Sequence, residues 1–383
     1  MMCVYQYGAA WPTIGYLVFW FIEGDLKRKG NAIIKNKYVL LFAGFYLLYA
    51  ISMLFTYKSD NSLSALQVKL SLFVFPLLLI SEGEIDIKKQ KMFIYSFIVG
   101  CVVTGLICIG YATWNLFANN IFEFQYMKYS ILLHPSYYSM YIDMAMVFTF
   151  YLFTTNAIVL NKLEKRFLVF SILFLLFTLV LLQSKMGMFI SAGVFALLLV
   201  RYSMMRSYKS AAWLLGAMLI VYFTTFHFLI GGRSRVVGAA DVIKTNQISA
   251  GSTESTQVRY YVWKAALEVI KEHPIVGVGT GNSSEVLVKQ YLQDGYTGAA
   301  KENLNAHNQY LQTTVVMGVV GLLTLLACLL FPFIKTIKEK RFVYGMFLAI
   351  VAANFLVEAM LETQSGTIFY GLFNSLLMFN FVI

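Results

Sequence analysis

Charged residues are scarce in this chain. They make up 13% of its 383 positions, whereas a soluble domain has about 25%. Hydrophobic residues account for 59%. So few charges exclude an ordinary soluble globular domain, and so many apolar residues predict a polytopic membrane protein.

The chain also lacks the cysteine and histidine patterns of disulfide scaffolds and metal sites. Cys101, Cys108 and Cys328 fall inside apolar runs, and only Cys3 could reach the outer face, so we interpret the cysteines as small core hydrophobes. The four histidines are far apart, and there is no CxxC or HExxH. We therefore expect no disulfide framework, no metal site and no cofactor.

Eleven apolar runs have about the length, 17 to 25 residues, that a helix needs to cross the hydrocarbon, or nearly so. They are residues 4–22, 38–55, 63–80, 92–117, 131–153, 166–183, 186–200, 211–230, 309–334, 342–358 and 367–383. The chain opens with MMCVYQYGAA, which has no basic leader before the first apolar run, so we expect that run to act as an uncleaved insertion signal. The sequence predicts an all-α membrane protein with about eleven transmembrane helices.

Basic residues alternate strictly between the loops. Eighteen Lys and Arg lie in the loops after helices one, three, five, seven and nine, whereas the short loops of opposite parity contain only Lys58, Lys128 and Lys185. Because short cytoplasmic loops carry the excess of Lys and Arg, we predict an outside N-terminus and an inside C-terminus. The net charge of +11 is mostly this topology signal. Its dispersal over loops argues against nucleic acid binding.

One substantial region outside the membrane separates two sets of helices. We predict helices one to eight in residues 1–230, an outer loop in residues 231–306 and helices nine to eleven in residues 307–383. Such a loop is longer than ordinary connections, which makes it the natural place for function. Its first part, residues 231–256, is rich in Gly, Ser and Thr, and we expect it to be mobile.

The second part of the outer loop predicts an amphipathic helix. In STQVRYYVWKAALEVIKEHP, apolar residues recur at helical spacing, Arg259 lies in the first turn and Pro274 ends the helix. The recurring residues are Val258, Val262, Ala265, Ala266, Val269 and Ile270. The following GVGTGN has Asn282 where a phosphate-binding GxGxxG needs glycine, so we interpret it as a tight turn.

A motif stands where the outer loop meets helix nine, in NAHNQYLQTTVVMGVVGLL. His307 and Asn308 are followed, after nine residues, by Gly318 and, after two more, by Gly321. This pattern resembles the signature of the O-antigen ligase and polymerase superfamily. RYYVWKAALEVIKEHPIVGVGTGN is similar to a segment of the same outer loop in that family. FWFIEGDLKRK, KLSLFVFPLLLI, HPSYYSMYI and LETQSGTIFYGLF also resemble ligase-type members.

The resemblance implies a fold and an activity. The fold is that of a type C glycosyltransferase, with about twelve helices and a large periplasmic loop that contains short helices, where this chain predicts eleven. The activity is the transfer of a glycan from undecaprenyl diphosphate to a sugar hydroxyl of the lipid A core, on the periplasmic side of a bacterial inner membrane. Membrane lipid is a further expected partner. No metal is required, because fixed cations can stabilise the leaving diphosphate.

The resemblance also suggests roles for individual residues. His307 is the expected general base for the acceptor hydroxyl, and Arg259 and Lys185 are expected to bind the donor diphosphate. Lys185 stands where the family tends to carry arginine, and it keeps the charge without the bidentate geometry. Asn308 is expected to orient the histidine. His134 and Glu362 are candidates for the acceptor side or for supporting roles.

Other interpretations remain open at this point. Within the same class, a polymerase joins two lipid-linked glycans, and a protein O-oligosaccharyltransferase moves a glycan to Ser or Thr. From a different class, a secondary transporter would use the intramembrane charges Lys69 and Asp143, although we find no internal repeat. A structural ion pair is the simpler expectation for these two charges. Glu358 and Glu362 flank the last outer turn.

Overall fold

The computed structural model describes residues 10–56, 60–205 and 255–381, with isolated helical positions between 209 and 220. Three expectations fall wholly or mainly outside these residues: the placement of Cys3, the eighth span at 211–230 and the mobile first part of the loop. They stay predictions.

Within the described residues the secondary structure is helical, and no strand occurs. The longer helices are Ala10–Ile22, Leu26–Lys35, Lys37–Ser52, Asp60–Lys69, Ser71–Ile80, Ile87–Asn119, Pro135–Thr154, Lys162–Leu182, Lys185–Met205, Ser255–Glu272, Ser283–Gln293, Gln309–Glu339, Phe342–Phe355 and Gln364–Phe379. Short turns of helix lie at Met53–Phe55, Tyr126–Tyr129, Thr297–Lys301 and Met360–Glu362. The predicted all-α class is confirmed.

Six helical stretches of the described residues are long and apolar enough to cross a membrane. They are Lys37–Phe55, Ser62–Ile80, Ile87–Asn119, Lys162–Leu182, Lys185–Met205 and Gln309–Glu339. Trp11–Ile22 and Phe342–Phe355 are apolar but shorter. The chain is thus a multi-pass membrane protein, and the number of eleven spans stays a prediction.

Capping residues explain where several of these helices begin and end. Asp86 accepts hydrogen bonds from the backbone of Lys88 and Lys89 and so starts the helix Ile87–Asn119. Asn161 and Glu164 form a reciprocal capping box at the start of Lys162–Leu182. Local side-chain chemistry therefore sets helix starts that hydrophobicity alone does not define.

The chain divides into two compact units. Among the described residues, one contains the helices between 85 and 205, and the other contains residues 10–84 and 255–381. We call them the middle unit and the site unit. The predicted division at residues 230 and 306 follows the loop and not compactness, and it stays a prediction.

Small residues allow close helix packing in the middle unit. Gly105 faces Phe174 and Tyr138, and a Cβ there would lie 2.8 Å from the Phe174 ring. The Tyr138 hydroxyl donates to the Cys101 carbonyl at 2.6 Å. In a membrane, burying apolar side chains against one another gives little free energy, because the lipid tails are equally apolar. Helices therefore associate through close packing at small residues and through interhelical hydrogen bonds.

The described part of the predicted outer loop forms a small helical layer with its own core. The helix Ser255–Glu272, which we call the loop helix, buries one apolar face against the helix Ser283–Gln293. Its buried residues are Val258, Val262, Ala265, Ala266 and Val269. These are the residues predicted from helical spacing, with Ile270 partly buried beside them. Arg259 stands one residue past the first turn.

Candidate functional site

The helix that follows His307, Gln309–Glu339, is broken at a glycine of the motif. Gly318 has φ 61° and ψ −159°, outside the helical region, in a conformation that is nearly restricted to glycine. The sequence predicted a span at residues 309–334, and the structure adds a break within it. We call the element the kinked helix.

Hydrogen bonds from a distant segment replace those that the kink removes. The backbone N–H groups of Val278 and Gly279 donate to the carbonyls of Val315 and Val316, each at 2.9 Å. In return, the Val319 N–H donates to the Pro274 carbonyl at 2.8 Å. Backbone groups at membrane depth must find such partners. The predicted tight turn after Pro274 therefore serves as a strap along the broken helix.

Glycine is required on both sides of this strap. A Cβ on Gly277 would lie 2.5 Å from backbone atoms of Val316 and Met317, and a Cβ on Gly318 would overlap the backbone of Ile275. Gly277 and Gly279 also have positive φ values of 68° and 86°. Gly318, the first glycine of the motif, thus has a structural reason, because it lets two backbones touch.

His307 and Asn308 form the entry to the kinked helix. His307 has φ 43°, in the left-handed region, and its N–H donates to the Asn305 side chain at 2.9 Å. The Asn308 side chain caps the helix by accepting from the Leu311 N–H at 3.1 Å. Its amide also donates to the Leu356 carbonyl at 3.0 Å. This asparagine ties the histidine to the end of the helix Phe342–Phe355.

A single carboxylate, that of Glu358, bridges the two main predicted site residues. The Arg259 Nη2 donates to Glu358 Oε1 at 3.0 Å, and the His307 Nδ1 lies 3.2 Å from Glu358 Oε2. The side chain of Glu358 is 9% exposed, against 28% for His307. We call these three residues the carboxylate cluster. Pairing a buried carboxylate with two partners offsets the cost of its burial.

The cluster engages only Nδ1 of the His307 imidazole, which leaves Nε2 available for chemistry. An ionised Glu358 favours the tautomer in which His307 Nδ1 carries the proton, so that Nε2 presents its lone pair. Among the described residues, Nε2 has no hydrogen bond. A partly exposed imidazole held this way can accept a proton from a bound hydroxyl.

Sequence reasoning missed Glu358 as the partner of His307. It lies 51 residues beyond the histidine and 99 beyond the arginine, and it was noted only as a flank of the last outer turn. An acidic residue in the apolar stretch NFLVEAMLE was the available signal, because an isolated charge at membrane depth requires a partner.

A second ion pair lies in the same unit. Lys69 is buried and donates to Glu362 Oε2 at 2.8 Å, which confirms the expected structural pairing for this lysine. The ammonium also lies 5.0 Å from the centre of the Tyr49 ring. Glu362 was a candidate for the acceptor side or for a supporting role, and the structure gives it Lys69 as a partner.

Hydrogen bonds connect this second pair to the kinked helix. The Tyr49 and Thr313 hydroxyls are 3.4 Å apart, and the Gln309 amide donates to Thr313 at 3.0 Å. The side-chain oxygen Oε1 of Gln309 accepts from the Leu361 N–H at 2.7 Å. The turn that carries Glu358 and Glu362 is therefore fastened to the residues that follow His307.

The remaining predicted residues lie in the middle unit. Lys185 begins the helix Lys185–Met205. His134 caps the helix Pro135–Thr154, where its Nδ1 accepts from the Ser136 N–H at 3.3 Å. Asp143 is buried and accepts from Ser191 Oγ at 2.5 Å, so the expected ion pair is replaced by a hydroxyl. Roles for Lys185 and His134 at the site stay predictions.

Comparison with known proteins adds two findings. A family model described as O-antigen ligase matches residues 170–326, a segment that includes Arg259 and the His307 motif but not Glu358. A protein of Haemophilus influenzae described as uncharacterized is 33% identical over 138 residues, which cover 33% of this chain and 33% of that relative. The chain thus spans about a third of the length of this relative.

Proposed function

We propose, from the confirmed resemblance of residues 170–326 to the O-antigen ligase superfamily, that this membrane protein is a glycosyltransferase of the ligase type. Its donor is a glycan on undecaprenyl diphosphate, and its acceptor is a sugar hydroxyl of the lipid A core. The catalytic face is the periplasmic side of the inner membrane. The observation that carries the proposal is the carboxylate cluster, in which one buried acid contacts both a histidine and an arginine.

His307 is the general base in this proposal. Its Nε2 takes the proton of the acceptor hydroxyl as that oxygen attacks the anomeric carbon of the donor. The new carbon–oxygen bond forms while the bond from the anomeric carbon to the diphosphate oxygen breaks. The proton resides on the imidazole, and Glu358 stabilises the resulting cation. Release of the proton to water then restores the starting state.

Arg259 supports the departure of the diphosphate. The electron pair of the broken bond remains on the leaving oxygen, and a guanidinium stabilises this charge through charge-assisted hydrogen bonds. The products are the glycosylated acceptor and undecaprenyl diphosphate. In the absence of donor, the Glu358 carboxylate occupies part of the guanidinium, so donor binding exchanges one anion for another.

The test is transfer by the full chain reconstituted in lipid vesicles with both lipid substrates. We expect His307→Ala to lower the transfer rate by roughly a hundredfold to ten-thousandfold and to leave donor binding near the wild-type value. His273→Ala is the matched control, because His273 is an exposed histidine at the end of the loop helix. Near-normal transfer by His307→Ala would remove the imidazole from the mechanism.

The lipopolysaccharide of a deletion strain separates ligase from polymerase. Loss of all polymer on lipid A, with polymer retained on undecaprenyl diphosphate, supports the ligase. A single repeat unit still attached to the core would indicate the polymerase instead. Unchanged lipopolysaccharide would point to protein glycosylation or transport.

A further inference from the structure

Aromatic and charged side chains are grouped on the loop helix immediately beyond Arg259. Tyr260 is 55% exposed, although it directly follows the arginine that contacts Glu358. Lys264 lies one turn further along the helix and is also exposed. An exposed ring beside a candidate reaction site is a feature that the transfer chemistry alone does not explain.

The rings behind Tyr260 hold it in place. Tyr260 and Tyr261 make an edge contact with their ring centres 5.5 Å apart. Tyr261 in turn packs on Tyr296, with ring centres 4.4 Å apart, and Tyr296 is buried at the start of the short helix Thr297–Lys301. Aromatic pairs with this spacing are favourable. The exposed Tyr260 ring is therefore packed, through Tyr261, against the buried ring of Tyr296.

Polar groups border the rings. The Tyr296 hydroxyl lies close enough to raise the pKa of the Lys264 ammonium, and Tyr260 and Asp294 add to this shift. The Gln290 amide donates to Asp294 at 3.0 Å and fixes that carboxylate. Hydrogen-bond donors and acceptors thus surround an apolar ring face. We call Tyr260, Tyr261, Lys264, Asp294 and Tyr296 the tyrosine platform.

We propose that the tyrosine platform binds the glycan of the donor beyond the sugar attached to the diphosphate. A pyranose ring offers an apolar face of C–H groups and a rim of hydroxyls, and the platform offers an aromatic face with charged hydrogen-bonding groups at its edge. Tyrosine gives such contact area at low cost in conformational entropy. The inference rests on the proposed function, since Arg259, the residue before Tyr260, is assigned to the diphosphate.

The occupant is a glycan and not the bilayer. A ring in contact with lipid needs no charged groups beside it, whereas here the Lys264 ammonium and the Asp294 carboxylate lie near the rings, and the Gln290 amide donates to that carboxylate. Tyr260, Tyr261 and Lys264 of the platform also lie on the same helix as Arg259 of the carboxylate cluster. A chain of sugars that leaves the cluster meets Tyr260 first.

The test compares two donors with the full chain in vesicles: undecaprenyl diphosphate carrying one sugar, and the same lipid carrying several repeat units. We expect Tyr260→Ala to raise the KM for the long donor about three- to tenfold, the size of one aromatic contact, with kcat unchanged. The single-sugar donor should be unaffected, and Tyr260→Phe should behave like the wild type with both donors. Leu267→Ala is the matched control, because Leu267 is exposed on the same helix.

The outcomes separate this inference from the proposed function. Suppose that the wild type transfers both donors and that Tyr260→Ala changes the KM for neither donor, or for both by the same factor. The platform then does not bind the glycan, and the Tyr260 ring contributes to packing or contacts the bilayer. If the wild type transfers neither donor, the proposed function fails. Calorimetry with the free oligosaccharide then decides the platform alone: binding that Tyr260→Ala weakens supports it, and absence of binding overturns it.

Discussion

Glu358 has two partners that need it for different reasons. Its contact with His307 Nδ1 fixes the imidazole and stabilises the cation formed on proton transfer, whereas its contact with Arg259 neutralises a guanidinium that the donor diphosphate must reach. One residue therefore assists the chemical step and competes with substrate binding. Removal of the Glu358 carboxylate should therefore slow the chemical step and strengthen binding of the donor diphosphate.

We expect Glu358→Gln to lower kcat and to tighten binding of an anion. Loss of one hydrogen bond to a charged group corresponds to roughly a ten- to hundredfold loss of rate. Release of Arg259 from its carboxylate should lower the Kd for inorganic pyrophosphate. Transfer assays and calorimetry on the same preparation measure both quantities.

Glu302→Gln is the control for this substitution, because Glu302 is an exposed glutamate in the outer loop, away from the carboxylate cluster. It should change neither quantity. If Glu358→Gln weakened pyrophosphate binding, the competition between the carboxylate and the donor would be disproved, and the acid would instead be required to shape the anion site.

The sequence located two members of the carboxylate cluster and missed the third. His307 and Arg259 were found through a resemblance to family motifs, and the structure brings both to one carboxylate. Glu358 has no spacing rule that connects it to either, since its neighbours come together only by folding. For the same reason, Lys69 was predicted to have a partner, but Glu362 could not be named as that partner.

At the scale of elements, the kinked helix determines where the cluster stands. The strap of residues 274–279 joins the end of the loop helix to the break at Gly318. Arg259 lies at one end of the loop helix, and His307 stands at the start of the kinked helix. The break and the strap thus set the distance between the base and the cation.

Gly318→Ala should destabilise the protein and impair transfer. For alanine, this backbone conformation costs about 1–3 kcal/mol. Its Cβ would also overlap the Ile275 backbone. We expect a lower Tm in detergent and a loss of transfer at temperatures where the variant is still folded, because the strap must shift. Thermal unfolding and transfer at 20 °C below each Tm would measure the two effects.

Gly44→Ala is the matched control for the kink. Gly44 lies in the helix Lys37–Ser52, where a Cβ would meet open space and the backbone is not strained, so alanine should leave stability unchanged or raise it slightly. Equal stability of the two variants would show that the strap can move aside at no cost.

The periodicity and length of the apolar runs predicted most helices, but they did not predict the kink at Gly318. A glycine in an apolar run costs a helix about 1 kcal/mol and does not by itself mark a break. The compensating hydrogen bonds come from a segment about forty residues upstream, which no local pattern connects to Gly318. The amphipathic loop helix was predictable because its apolar residues all face one core.

At the scale of the whole molecule, the topology predicts the paired charges of the site unit and the basic loops on opposite sides of the membrane. The carboxylate cluster and the pair of Lys69 with Glu362 all lie in the site unit. Apart from Lys69, which lies within a predicted span, these residues stand in the outer loop or at the outer ends of spans that the topology predicts on one side. The same topology predicts the basic loops on the other side. A donor on the outer leaflet is accessible only if the cluster faces outward, so orientation bears directly on function.

Orientation can be measured with two single cysteines in otherwise wild-type protein. Lys289→Cys lies in the loop and Lys338→Cys near the end of the kinked helix, and both positions are exposed. Because short loops rich in Lys and Arg remain in the cytoplasm, we expect an impermeant maleimide to label residue 289 in intact spheroplasts and residue 338 only after lysis. Cys101, Cys108 and Cys328 are buried, and the unsubstituted protein corrects for any background from Cys3. Labelling of residue 338 alone from outside would reverse the assignment. The carboxylate cluster would then face the cytoplasm, away from an outer-leaflet donor, and the ligase proposal would have to be abandoned even if His307 proved essential.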